Sequence, residues 1–242
     1  MQLLRENGTI SVNDIIDRFG VSEATARRDL EALERDKKLL RTFGGAILET
    51  VRTEIPFFAK MDMNPEEKSE IAKKALTLIQ EGDVIGLTGG STNMFIARLL
   101  RQRAFERLTV VTNAINIAYE LAGQPGLQLI VTGGIIRTQS FELSGPLADL
   151  TLGQLTIQKT FMGADGVSLT RGITTFDELE AHTNRMMMRH SLETYVVADY
   201  TKLGRDSIFL IDEIAAITAL LTDSHPHTDI RRMLASSGVT VL

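Results

Sequence analysis

The sequence predicts an α/β protein in two modules: a small helical pair with a hairpin, then a larger, mostly parallel sheet covered by helices on both faces. Three observations predict it. ISVNDIIDRFGVSEATARRDLEALERDKKLL (10–40) has the rhythm of helix, tight turn and helix. From Pro65 onward, amphipathic helical stretches alternate with short strands that are apolar throughout, as strands buried on both faces are. Between them, ETVRTEIPFFAKMDMNP (49–65) follows neither pattern and reads as a linker.

Composition narrows the classes. The chain has 242 residues, 43% hydrophobic and 24% charged, enough for a small domain joined to a larger one. It has no cysteine, which excludes disulfides, thiolate chemistry and cysteine-type zinc sites and fits a reducing cytoplasm. No apolar run approaches the roughly 18 residues needed to span a bilayer, and MQLLRENGTI is not a signal peptide, so a cytoplasmic protein with no membrane partner is expected. Residues 1–60 balance ten basic against ten acidic side chains, whereas the remainder carries 16 against 21 and so the whole net charge of −5. An acidic chain binds nucleic acid only where its positive charge gathers on one face, which directs attention to the first sixty residues.

In that module Ile15, Ile16 and Phe19 give the first helix an apolar side, and Gly20 stops it. Ser22 is a natural N-cap for the second helix, where Ala26, Leu30 and Leu33 recur at helical spacing. With that stripe inward, Glu23, Thr25, Arg27 and Arg28 point away from the core near the helix start, where a recognition helix meets base edges and phosphates. LLRTFGGAIL (39–48) then reads as a hairpin around Gly44-Gly45, from which Arg41 can reach a DNA backbone as the wing of a winged helix does. A shorter helix is expected over residues 2–6.

The larger module reads as helix 65–82, strand 83–88, helix 93–103, strand 108–113, helix 114–122, strand 127–133 and a helix within 142–155. Strand 159–165, helix 177–191, strands 193–199 and 215–223, helix 227–238 and strand 239–242 complete it. In such sheets ligands bind beyond the carboxyl ends of the strands. The distinctive residues fall there: Gly89, Gly90, Ser91 and Thr92 after the first strand, Asn113 after the second, Gly133 and Gly134 after the third, Asp165 after the fourth, Lys202 after the fifth. Glycines allow close backbone approach, hydroxyls and helix-start N–H groups suit an anion, and a lysine offers a countercharge. Each alone also reads as an ordinary turn, cap or solvated lysine; their convergence on one edge carries the argument. TGGST is not a Walker A loop, and no GxGxxG suggests a dinucleotide. No cofactor is expected. His225 and His227 read as a surface loop, His182 and His190 lack metal-ligand spacing, and MMMRH (186–190) reads as core and interface filler.

VSEATARRDLEALE followed by RTFGGAI resembles the N-terminal signature of the DeoR family of bacterial transcription repressors. VVTNAINIAYEL, GGIIR, FMGADGVSLTRGITTFDELEA and VADYTKLGR resemble its C-terminal sensor domain, so the likeness runs over essentially the whole chain. It implies a winged helix-turn-helix over 1–50, a linker over 51–65 and an effector-sensing α/β domain over 66–242, similar in fold to ribose-5-phosphate isomerase. It also implies operator contacts from Ser22, Glu23, Thr25, Arg27, Arg28, Arg41 and Thr42, a phosphorylated sugar as effector, and a homo-oligomer, dimer or tetramer. Four departures stand out. Ala26 replaces a larger aliphatic residue, Phe43 a wing histidine and Thr88 an aspartate, and the chain starts about ten residues late for the family.

The rival expectation is a sugar-phosphate isomerase-like enzyme with an accessory N-terminal domain. Such an enzyme needs a base and a cation for the enediolate. In the isomerases an acid follows Gly-Ala-Asp and a lysine lies in a glycine-rich loop; here Gly166 follows Asp165 and GITTFDELEA holds no lysine. The expected function is therefore a repressor of a carbohydrate catabolic operon, released from double-stranded operator DNA by a phosphorylated sugar, and not an enzyme.

Overall fold

The computed structural model describes residues 3, 9–35, 39–42, 45–48, 54–224, 232 and 234–242, with the side chains of 9, 40–42 and 47–48 excepted. The chain forms two compact units, Met1–Ile55 and Pro56–Leu242.

In the first unit, β1 (Thr9–Ser11) leads into helix α1 (Val12–Phe19) and helix α2 (Glu23–Arg35), followed by β2 (Leu39–Thr42) and β3 (Gly45–Leu48). The strands form an antiparallel sheet in the order β1-β3-β2, with Thr42 opposite Gly45. Ser11 and Asp14 form a reciprocal capping box at the start of α1, and Gly20, at φ 65°, ends the helix by donating to Ile16 O at 2.8 Å. Ser22 caps α2 by accepting from the Thr25 N–H. Val12, Ile15, Ala26, Leu30, Leu39 and Ala46 form the core. Gly45 is required by packing, because a Cβ there would lie 2.0 Å from the Ile10 carbonyl oxygen. Phe19 departs from its expected core role. It is 61% exposed, because α1 ends there and the described core of this unit closes on Val12 and Ile15 one turn earlier. Of the helix expected over 2–6 only Leu3 is described, as helical, and the wing residues Phe43 and Gly44 lie outside the described residues.

The second unit opens with helices α3 (Phe57–Asp62) and α4 (Pro65–Leu78). Its seven-stranded sheet is parallel throughout: β4 (Val84–Leu87), β5 (Leu108–Thr112), β6 (Leu127–Val131), β9 (Ile157–Gly163), β12 (Ser191–Val197), β14 (Ala219–Leu221) and β15 (Thr240–Val241). Helices α5 (Ser91–Gln102) and α6 (Ile115–Leu121) return the chain between the first strands; α7 (Pro146–Leu152) precedes β9, and α8 (Glu178–Arg189) precedes β12. Successive residues of one strand face opposite sides. Thus Phe161, Tyr195 and Leu221 pack on one face with residues of α4, α5 and α6, while Met162, Val196 and Leu220 pack on the other with Ala181 and Met188 of α8. The α/β architecture with a mostly parallel sheet is the one the sequence predicts.

Three features differ from expectation. The stretch read as linker contains α3, held by buried Phe57, whose ring meets that of Phe141 edge-on at 5.7 Å. A hairpin, β7 (Ile135–Arg137) and β8 (Glu142–Ser144), precedes α7. A small antiparallel sheet, β10 (Gly166–Ser168), β11 (Gly172–Thr175) and β13 (Phe209–Asp212), covers the face that carries α8. These strands span three or four residues each, too few for a period-2 pattern to emerge. Of the segment expected as helix 227–238, residues 227–231 and 233 lie outside the described residues, while 232 and 234–236 are helical.

Candidate functional site

The strand order is β15-β14-β12-β9-β4-β5-β6. The chain builds outward from β4 through β5 and β6, then crosses to the other side of β4 and builds outward again from β9. The reversal between β4 and β9 is a topological switch point, where an open α/β sheet leaves a crevice at its carboxyl edge. The TGGST turn leaves β4 and Gly163-Ala164-Asp165 leaves β9, so both flank that crevice.

The turn is built for close approach. Gly90 sits at φ 106°, a conformation that favours glycine, and no side chain caps the first turn of α5. The N–H groups of a helix start left without a side-chain cap are suited to an anion. Ser91 and Thr92, the first two residues of α5, are buried. Thr88 is also buried, and its hydroxyl accepts from Gly163 N at 3.0 Å, tying the ends of β4 and β9 together. Asn93, which sequence reasoning missed, reinforces this tie by donating to Thr88 O at 2.9 Å and Phe161 O at 3.0 Å.

The remaining expected residues are placed unequally. Asn113 is fully buried at the end of β5, and Asp165 follows β9. Lys202 lies on the 3-10 turn Tyr200–Lys202 after β12, near enough for its charge to act on Asp165. Gly133 and Gly134 follow β6, two strands from β4 and so roughly 10 Å from the switch point. Gly134 has a packing reason of its own: a Cβ there would meet Ser144 O at 2.5 Å.

Four charged residues enter the site from segments that sequence reasoning did not assign to it. Lys60 of α3 holds Asp165 Oδ1 at 2.8 Å. Glu180 of α8 approaches the Thr175 hydroxyl at 2.7 Å, and the same hydroxyl lies 3.2 Å from Asp165 Oδ2. Arg137 of β7 pairs with Glu180 at 3.1 Å and with Asp177 at 3.3 Å. Glu142 of β8 lies against the turn, where a Cβ on Gly89 would fall 2.2 Å from its carboxylate, and Asn113 Nδ2 donates to it at 3.2 Å. DELEA carried the one signal available, a carboxylate pair at helix-start spacing; nothing local marks Lys60 or Glu142.

Their electrostatics diverge. Burial works to raise the Asp165 carboxyl, but the charges of Lys60 and Lys202, with the Lys60 and Thr175 hydrogen bonds, hold it below the usual carboxylate range. Burial and the Asp165 charge push Glu180 up to about 7. Burial, then the Glu180 charge, drives Glu142 well above the ordinary value. Thr175 has one hydroxyl proton to share, so a proton on Glu180 lets both of its hydrogen bonds form at once. Next to the site, Lys68 of α4 donates to Lys60 O at 2.6 Å and to Met63 O, fastening the end of α3; burial lowers its ammonium to about 8.

In the first unit, Ser22, Glu23, Arg27 and Arg28 are exposed at the start of α2. Arg27 and Glu23 pair at 2.7 Å, and the Thr25 hydroxyl lies 2.9 Å from that of Ser22. Arg41 and Thr42 belong to β2, and their side chains lie outside the described residues. Of the histidines, His182 lies 2.9 Å from Asp149 and His190 ends α8, while His225 and His227 lie outside the described residues. Met187 and Met188 are core residues. Among the described residues, no helix is long and apolar enough to cross a membrane.

Comparison with known proteins covers the same two segments. Residues 1–52 match the DeoR-like helix-turn-helix domain, and residues 63–224 match the DeoR C terminal sensor domain. A relative from Escherichia coli O157:H7, named for transcriptional repression of an aga operon, is 34% identical over 100% of this chain and 90% of its own length. The lactose phosphotransferase system repressor of Lactococcus lactis is 31% identical over 93% of this chain and 88% of its own. The glycerol-3-phosphate regulon repressor of Escherichia coli K12 is 27% identical over 99% of this chain and 94% of its own. Among solved structures, a D-ribose-5-phosphate isomerase in complex with phospho-erythronic acid aligns over 57% of this chain and 53% of that one, at 19% identity and a TM-score of 0.44. With both of its segments matched in order, the chain belongs to the DeoR family of helix-turn-helix transcriptional regulators.

Proposed function

We propose that this protein is a DNA-binding repressor of a carbohydrate catabolic operon whose second unit senses a phosphorylated sugar. The observation that carries the sensing role is the switch point, where an open helix start and the Gly89-Gly90 turn meet buried Glu142 and Asn113, with partly buried Asp165 after β9 and Glu180 of α8 linked through Thr175. The phosphate is assigned to Gly89, Gly90, Ser91 and Thr92, with Lys202 as countercharge, and the sugar to Asn113, Asp165 and the Gly133-Gly134 turn. Operator contacts are assigned to Ser22, Glu23, Thr25, Arg27, Arg28, Arg41 and Thr42, presented in pairs by a dimer or tetramer. Arg27 must leave Glu23 to reach a phosphate.

Release follows from α3. This helix begins two residues after the first unit ends at Ile55, and Lys60 on it holds Asp165 in the site. An anionic effector competes with Asp165 for Lys60, and any shift of α3 pulls on the chain leading to the DNA-binding unit. A hundredfold release of DNA requires about 2.7 kcal/mol of coupling, an ordinary allosteric magnitude.

One observation favours a catalytic reading. Glu180, titrating near 7, and Lys60 supply a base and a cation from outside the segments where isomerases carry them. Family membership and the operator-binding module support the sensor. The test is fluorescence anisotropy of operator DNA with pentose and hexose phosphates, run beside a turnover assay on the same compounds. Sugar-phosphate-dependent release without turnover is the expected result; turnover without release would overturn the proposal.

A further inference from the structure

We infer that Glu142 determines the specificity of the effector site: with Asn113 it forms a wall of hydrogen-bond acceptors beside the TGGST turn. That wall selects an effector bearing donor groups, hydroxyl or ammonium, on the carbon skeleton next to its phosphate. The inference rests on the sensor reading above and names the chemistry that the sensor selects.

Glu142 opens β8 and is only 3% exposed, so the β7–β8 hairpin, not the parallel sheet, delivers its carboxylate to the turn. The contact is close enough that Gly89 cannot carry a Cβ, which would lie 2.2 Å from Glu142 Oε1. Asn113 uses its amide nitrogen on Glu142 Oε2 at 3.2 Å. Its amide oxygen is buried without a hydrogen-bond partner, as is that of Asn93 at the start of α5. A buried acceptor left without a donor carries a desolvation penalty that an arriving donor removes. Burial and the Glu180 charge press Glu142 toward its neutral form, so a ligand that donates to both carboxylate oxygens, or brings a cation, displaces that proton as it binds. Glu142 meets the turn at Gly89 with its side chain, whereas the phosphate is assigned to backbone N–H groups of the same turn. Backbone N–H groups recognise the phosphate whatever its substituent, whereas the Glu142–Asn113 wall meets the remainder of the ligand.

The experiment is isothermal titration of the intact wild-type, Glu142→Gln and Glu142→Leu proteins with inorganic phosphate, propyl phosphate, glycerol 3-phosphate, ribose 5-phosphate, glucose 6-phosphate and glucosamine 6-phosphate. Wild type should bind at least one donor-bearing phosphate at least tenfold more tightly than propyl phosphate. Glu142→Leu should abolish that preference and leave inorganic phosphate within twofold. Glu142→Gln separates the donors: loss confined to glucosamine 6-phosphate identifies an ammonium, and loss shared with the neutral sugars identifies hydroxyls. Variants that keep the wild-type preference, or lose inorganic phosphate in equal measure, overturn the inference alone. A wild-type protein that binds none of the six overturns the sensor reading as well. Thermal melts of Glu142→Gln within a few degrees of wild type show that any loss is not unfolding.

Discussion

Lys60 and Asp165 are 105 residues apart in the chain, yet the Lys60 ammonium lies 2.8 Å from the Asp165 carboxylate at the switch point, with both side chains about four-fifths buried. Breaking such a pair from one side strands the other charge. Lys60→Met should lower the unfolding free energy by roughly 2–4 kcal/mol, and Lys60→Met/Asp165→Asn should recover much of that. Urea denaturation of the three variants measures it. Equal losses in the single and double variants would show that Lys60 acts through packing alone.

Glu180 should leave a signature in the pH dependence of stability. Its folded value, about 7, lies above the ordinary 4.5, so between those limits the folded state binds the extra proton. Stability from this group is therefore fully present below about 4.5 and lost as pH rises through about 7. Thermal denaturation from pH 4.5 to 8 should show a decline that Glu180→Gln flattens; an unchanged profile in that variant would place the titration elsewhere.

Gly90→Asp tests the turn. The position has open space for a Cβ but sits at φ 106°, so the substitution strains the backbone and adds a negative charge where an anion is proposed to bind. Operator affinity should stay within about threefold while effector-driven release falls by about a hundredfold or more, equivalent to about 2.7 kcal/mol. Normal induction in this variant would refute the placement of the phosphate.

Arg28→Ala tests the opposite end of the chain. Arg28 is exposed near the start of α2. Its loss should abolish specific operator binding, leave effector affinity unchanged, and reduce the salt slope of residual DNA binding by about one. Anisotropy titrations at several salt concentrations distinguish this from a fold defect, which would alter both activities.

Much of the architecture was legible along the chain. Gly20 and Ser22 bracket α1 and α2 as their chemistry requires, and apolar strands such as β5 announce a sheet buried on both faces. The turn after β4 was legible too, because glycines and hydroxyls before an amphipathic helix are a local signal. Phe19 misled because periodicity reports which side of a helix is apolar, not whether anything covers its last turn.

By itself, then, the sequence determined the strands of the parallel sheet, the helices between them, the two modules and which residues follow the strands, since all of these follow from contacts within a few residues of each other. Only the tertiary structure decided that β9 lies beside β4, and that Lys60, Glu142 and Glu180 converge on the crevice this creates. The physical reason is that side-chain periodicity records which face of an element is buried. Which strand lies alongside it, and which distant charge that neighbour brings, is settled by long-range pairing that leaves no periodic trace in the chain.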